Sequence, residues 1–179
     1  VDAFGKRAEY IRDGLDFNYM MDNVEEFLDR IPVRNSITFI CTYNNLSITS
    51  MDKLLSKVLE LRQRYSKTYQ RVWFDVPLLR QPAWQQITLL PESYQIIHED
   101  NIKYMQANSG EANGLHIFKD FEIQKMQRNL AYWRENADAS TQNKKNFYAF
   151  FNEHDRRRLT RFLNTFPEME EFWEDCKNA

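Results

Sequence analysis

The sequence predicts an α/β fold, α+β overall: a partial (β/α) barrel of two or three parallel strands followed by a mostly helical C-terminal part. Three observations carry this expectation. The run "SITFICT" (36–42) is β-branched, aromatic and apolar nearly throughout. An amphipathic helical pattern follows it, to about residue 65. "RVWFDVPLL" (71–79) then alternates Val72, Phe74, Val76 and Leu78 on one face. Strand, helix, strand is a βαβ unit, which implies parallel pairing and a right-handed crossover.

The elements follow in order. "GKRAEYIRDG" is bracketed by Gly5 and Gly14 and reads as a charged loop with local ion pairs. It has no G-x-G-x-x-G or G-K-[ST] with which to cradle a phosphate. Residues 17–30 read as a helix capped by Asp16, with Met20, Val24, Phe27 and Ile31 at three- and four-residue spacing. The run 36–42 follows Pro32 and is apolar enough for a strand covered on both faces. Thr49 and Asp52 form a T-x-x-D capping-box pattern before Leu54, Leu55, Val58, Leu61 and Tyr65. Pro77 marks the second strand as ending or lying at an edge. After about residue 80 the pattern turns helical. Pro91 stands at a first helical position for a helix to about 107, and "SGEANG" (109–114) is a loop. Leu115, Phe118, Phe121, Met126, Leu130 and Trp133 mark a helix to about 135, and "ENADASTQNKK" is a polar exposed stretch. A last long helix is expected over 146–163, with a short one after Pro167. The division is 1–80 for the barrel segment and 81–179 for a helical region packed on it.

Composition narrows the function. A chain of 179 residues with 42% apolar and 15% aromatic residues can bury a real core, and 4 Gly with 5 Pro leave little room for flexible linkers. A net charge of -2 argues against a nucleic-acid partner, which calls for a basic excess. No stretch has the roughly 20 apolar residues of a membrane helix, and nothing resembles a secretory signal. Cys41 and Cys176 stand alone, and His98, His116 and His154 are scattered, so no metal-ligating residue is assigned. Two lone cysteines suit a reducing cytoplasm. No G-x-S-x-G or similar local signature marks a nucleophile, and no catalytic residue is assigned. The chain opens without an initiating Met and reads as the end of a strand followed by a loop, as expected of a piece of a longer fold.

Two segments are candidate sites. Thr42, Asn44 and Asn45 follow the first strand, at the sheet edge where α/β folds bind ligands. They offer uncharged hydrogen-bonding groups suited to an adenine or ribose edge. Asn-Asn is also ordinary turn chemistry, which is the simpler reading. In "NEHDRRRLTRFLNTFPEMEEFW" (152–173), Asp155 and Arg156, Arg157 and Arg158 interrupt an aromatic helical pattern. With Phe147, Phe151, Leu159 and Phe162 on one helical stripe, Asp155 turns toward the core. There a lone carboxylate is costly without a partner, such as an arginine at i+3 or from another element. A structural clasp is favoured over an anion site.

Four stretches in this order resemble the radical S-adenosylmethionine proteins of the SPASM/twitch type, from the fourth barrel strand to the C-terminus. They are "VDAFGKRAEYIRDGLDF", "TYNNLSITSMDKLL", "VPLLRQPAWQQITLLP" and "FYAFFNEHDRRRLTRFLNTFPEMEEFW". The resemblance implies a partial (β/α)6 barrel. In it a 4Fe-4S cluster on C-x-x-x-C-x-x-C reductively cleaves S-adenosylmethionine, and the resulting radical abstracts a substrate hydrogen. It implies Asp2 near the ribose and Thr42, Asn44 and Asn45 around the same mouth. The cluster motif and auxiliary cysteines are absent here, so no cofactor is expected in this chain alone. S-adenosylmethionine and the cluster are implied only for a full-length relative. The leading expectation is the C-terminal portion of such an enzyme, not catalytic alone. The alternatives are a non-enzymatic interaction module presenting exposed aromatics and, against the charge argument, a nucleic-acid binder through Arg156–Arg158 and Arg161. Half a barrel leaves an open sheet edge, so a homo-oligomer is expected.

Overall fold

Strands β1 (Ile37–Ile40) and β2 (Val72–Asp75) pair in parallel, with Ile37 beside Val72 and Ile40 beside Asp75. The structure is a computed structural model that describes residues 1–31, 34–111 and 114–179. Pro32 and part of the 109–114 loop lie outside the described residues. Helices α1 (Lys6–Ile11) and α2 (Phe17–Arg30) precede β1, and α3 (Met51–Tyr65) connects the strands. Helices α4 (Gln95–Ala107), α5 (Asp120–Glu135), α6 (Thr141–Arg158), α7 (Phe162–Thr165) and α8 (Glu170–Asn178) follow. The fold is mixed α+β and mostly helical, with the βαβ unit where the sequence put it. One cluster of buried side chains runs from Ala3 to Cys176 and crosses the expected boundary near residue 80.

The sheet is covered on one face. Phe39, Val72, Phe74 and Val76 are buried on the side where α3 packs, with Leu54, Leu55, Val58 and Leu61 also buried. Each such aliphatic side chain contributes about 1.5–3 kcal/mol on burial. The opposite face carries Thr38 and Ile40, both exposed, and Trp73 and Asp75, half-buried. The expectation of a strand covered on both faces is therefore corrected: Ile40 is 51% exposed, because α5 reaches only the β2 side.

The two edges also differ. On β2, Phe74 donates its N–H to Glu122 Oε1 at 3.2 Å. The Val72 carbonyl accepts Arg62 Nε at 3.0 Å, and the Val76 carbonyl accepts Asn129 Nδ2 at 3.0 Å. Side chains thus replace a neighbouring strand. On β1, the N–H groups of Ile37 and Cys41 bond to Arg71 and Asp75 of the β2 side, so those of Thr38 and Ile40 face away from it. Near that open edge the Val1 ammonium donates to the Ile40 carbonyl at 2.9 Å.

Local chemistry explains the boundaries. The Asp16 carboxylate accepts the Tyr19 N–H at 2.9 Å and starts α2 as expected. The most buried positions of α2 are Phe17, Met21 and Leu28. The expected stripe of Met20, Val24 and Phe27 is only partly buried, and Ile31 is exposed. The segment read as a charged loop contains α1: Gly5 turns the chain at φ 60, and Ala8 and Tyr10 then bury one face. The Thr49–Asp52 capping box does not form. A 3-10 turn over Ser47–Ser50 leads into α3, and the Thr49 hydroxyl bonds to the Leu46 carbonyl. Likewise a 3-10 turn at Glu92–Tyr94 delays α4 to Gln95.

Helix α5 begins at Asp120, five residues after the first apolar position of its pattern, because Glu122 folds back onto the Lys119 N–H at 2.9 Å. Helix α6 begins earlier than expected, since Ser140 caps it through the Asn143 N–H. It ends earlier too, at Arg158, where Leu159 adopts a left-handed conformation and is 94% exposed. Leu159 is therefore not part of the core stripe, and Phe162 belongs to α7. The short helix after Pro167 is present as α8.

Candidate functional site

Asp2 lies where the chain meets the carboxyl end of β1. Its Oδ1 accepts the Thr42 N–H at 3.0 Å, and its Oδ2 accepts Arg12 Nε at 2.6 Å. Its carbonyl accepts the Cys41 thiol at 3.4 Å. The structure thus brings Asp2 and Thr42 together. The Asp2 side chain is only 6% exposed, with Arg12 across it on the solvent side.

Asn44 and Asn45 are both buried and spent on local structure. Asn44 Oδ1 accepts the N–H groups of Leu46 at 2.9 Å and Ser47 at 3.2 Å, and its amide donates to the Thr42 carbonyl at 3.0 Å. This is an Asx turn, the residue's ordinary loop chemistry. Asn45 donates from its side chain to the Trp84 carbonyl and from its backbone to the Gln85 carbonyl, each at 3.1 Å. The pair ties the loop after β1 to the segment after β2. Asn45 Oδ1 is buried with no hydrogen-bond partner among the described residues.

The charged run in α6 divides sharply. Asp155 accepts the Tyr10 hydroxyl at 2.8 Å, the Thr160 hydroxyl at 2.7 Å and the Phe162 N–H at 2.6 Å. Its main partner is therefore a tyrosine of α1, not an arginine. Burial, and then the bond to Asp155, pushes the Tyr10 phenol far above its ordinary pKa. Arg158 donates to the carbonyls of Tyr10 at 2.7 Å and Glu9 at 3.1 Å, which caps the C-terminal end of α1, and it pairs with Asp13 at 3.0 Å. Asp155 and Arg158 together fasten α6 and α7 to α1. Arg156 and Arg157 point to solvent and share Glu153, whose carboxyl they hold down to about 2.

Three further groups were not singled out from the sequence. In the sequence Arg12 stands out only as part of a charged segment. Arg62 and Glu122 form a fully buried ion pair. Its signal was present, because Arg62 lies one turn from both Val58 and Tyr65 on the apolar face of α3. His98 accepts the Tyr43 hydroxyl at Nδ1, 2.6 Å away, and donates from Nε2 to the Met126 carbonyl at 2.9 Å. Burial pushes this imidazole down to about 4, so it is neutral at pH 7.

The residues present do not fit an iron–sulfur cluster. Among the described residues no three His, Cys, Asp or Glu side chains are grouped to hold a metal. Burial pushes both the Cys41 and Cys176 thiols up to about 12, away from the thiolate a metal needs. Arg12 stands between the Asp2 carboxylate and solvent. No helix among the described residues is long and apolar enough to cross a membrane. The sequence matches no family model, no curated protein and no solved structure.

Proposed function

We propose that this chain is the C-terminal portion of a cytoplasmic radical S-adenosylmethionine protein of the SPASM/twitch type, in which its parallel strands continue a partial (β/α) barrel. By itself it is not catalytic. The observation that carries this reading is the asymmetry of the sheet. The β2 edge is sealed by Arg62, Glu122 and Asn129, whereas on β1 the Val1 ammonium meets the Ile40 carbonyl alone, and the outward N–H groups and the face of Thr38 and Ile40 stay open among the described residues. An open parallel edge accepts a further strand, and in this reading the preceding half of the barrel supplies it. S-adenosylmethionine and the cluster then belong to the assembled protein. This chain lends Asp2 and Thr42 to the mouth once Arg12 has swung aside, and Asn44 and Asn45 shape the loop behind them.

The coding sequence on the 5′ side of Val1 tests the reading. An in-frame C-x-x-x-C-x-x-C ahead of strand–helix units is the expected result, and a start codon with no such motif overturns it. In isolation the same edge pairs with a second copy, so light scattering is expected to report an oligomer.

A second reading is a non-enzymatic interaction module. It is favoured by a groove of about 440 Å³ beside α2, lined by Leu15, Tyr19, Met20, Val24, Phe27 and Ile37. S-adenosylhomocysteine titrated into an Arg12→Ala variant separates the two readings: the first expects only weak binding, near Asn44 in the part of the mouth this chain contributes, and the second none.

A further inference from the structure

The loop after β2 and the outer side of α5 enclose a cleft of about 340 Å³ at the carboxyl end of the sheet. Its wall includes Asp75, Arg80, Lys125, Arg128, Asn129 and Tyr132. Three of these are cations and one is an acid. Asp75 is occupied, since its Oδ1 accepts the Val76 N–H at 2.8 Å and pairs with Lys125. Asn129 is spent on the Val76 carbonyl. Arg80 and Arg128 have no carboxylate partner and no side-chain hydrogen bond among the described residues. Arg80 lies over the ring of Tyr132, 4.2 Å from its centroid. Stacking fixes the guanidinium plane while leaving its edge donors free.

Two guanidinium groups without a carboxylate partner thus lie on the wall of one concavity, a positively charged lining that favours an anion. The volume is at the small end of ligand sites, and the carboxyl end of a parallel strand is where such sites form. A larger cleft of about 610 Å³ beside α1 contains Lys6, Arg7, Lys53 and Arg158. There the guanidinium groups are consumed: Arg7 by Glu168 and the Thr49 carbonyl, and Arg158 by Asp13 and two carbonyls of α1.

We infer that the cleft at the end of β2 is a binding site for a small oxyanion, a phosphate ester or a carboxylate, held between the forks of Arg80 and Arg128, with Lys125 spent on Asp75. Guanidinium forks match both oxyanions with paired hydrogen bonds. This inference stands on the cleft alone and does not depend on the radical-protein reading.

The test uses the full chain with inorganic phosphate and succinate as probes, read by amide chemical shifts and calorimetry against chloride at matched ionic strength. Saturable binding is expected, with shifts centred on residues 75–80 and 125–132. Arg80→Gln and Arg128→Gln should each weaken it about tenfold, the loss of one charge-assisted contact. Lys53→Gln, in the other cleft, should leave it unchanged. Phosphate alone, succinate alone or both would assign the ligand class. No binding beyond chloride, or equal affinity in the Arg80→Gln/Arg128→Gln double variant, overturns the inference. Both arginines are exposed, so the variants should keep the wild-type circular dichroism spectrum.

Discussion

Arg62 of α3 and Glu122 of α5 face each other with neither side chain exposed, joined at 2.5 Å and 3.0 Å. Glu122 also accepts the Phe74 N–H, and Arg62 donates to the Val72 carbonyl. The pair therefore links two helices and closes the outer edge of β2. A buried ion pair is weak grounds for net stability, since desolvation opposes it, but removing one partner leaves a charge stranded.

Glu122→Gln should accordingly cost about 3–5 kcal/mol. Arg62→Met/Glu122→Leu should cost less than Glu122→Leu alone, because no buried charge then remains. It should stay below wild type, because the Phe74 N–H is still orphaned. Urea unfolding measures all four proteins, and the comparison holds where the denaturant slope is unchanged. A double variant worse than the single would show that the pair stabilises by more than charge balance.

Asp155 and its arginine neighbours give a second contrast. Asp155→Ala should cost about 2–4 kcal/mol, since it removes the acceptor for Tyr10, Thr160 and the Phe162 N–H. Tyr10→Phe should reproduce part of that loss, and the two should be non-additive in a double-mutant cycle. Arg156→Ala and Arg157→Ala should each unfold at the wild-type temperature, as expected of exposed ion pairs. Thermal unfolding of wild type, the four single variants and the double variant decides whether the clasp is centred on Asp155 or extends along Arg156 and Arg157.

The sequence announced some of this architecture and concealed the rest, for physical reasons. The βαβ unit was legible because a β-branched apolar run gives way to a helical period of 3.6 and then to strict alternation, and Asp16 was legible because capping is a local event. The end of α6 was not. Nothing local in "RRRLTRF" stops a helix; the stop comes from Asp155 reaching forward to Thr160 and Phe162. The start of α5 was hidden because its reciprocal cap uses Lys119 in place of Ser or Thr. At the candidate site Asp2 and Thr42 do meet, but Arg12, which covers Asp2 from the end of α1, carried no motif. The roles of Asn44 and Asn45 as turn residues follow from short-range chemistry that the sequence did suggest.

The pH dependence of stability should carry the signature of His98. An imidazole in the unfolded chain titrates near 6.5, whereas burial holds the folded group at about 4. Between those values the unfolded chain takes up a proton and the folded chain does not. Stability is therefore intact above about pH 7 and falls as pH drops toward 4, by on the order of 3 kcal/mol from this group. His154, lowered by burial and by Arg158, acts in the same direction. His98→Gln keeps a polar side chain without the titration, so the wild-type curve should be steeper by up to one proton across this range. Parallel curves would mean that His98 takes up its proton equally in the folded and unfolded chain, so that burial does not hold it neutral.

Leu159 offers a test of backbone strain. It closes α6 at φ 53 and ψ 38, in the left-handed region, with its side chain almost wholly in water. For an L-residue that conformation costs roughly 1–2 kcal/mol, a cost glycine does not carry. Glycine adds freedom to the unfolded chain, which offsets part of the gain. Leu159→Gly should therefore raise stability by about 0.5–1 kcal/mol, and Leu159→Asn should raise it somewhat less. Leu159→Ala keeps the left-handed strain while removing the exposed side chain, so it should bring no comparable gain. If alanine stabilises as much as glycine, the benefit comes from removing apolar surface, and the helix end is not strained.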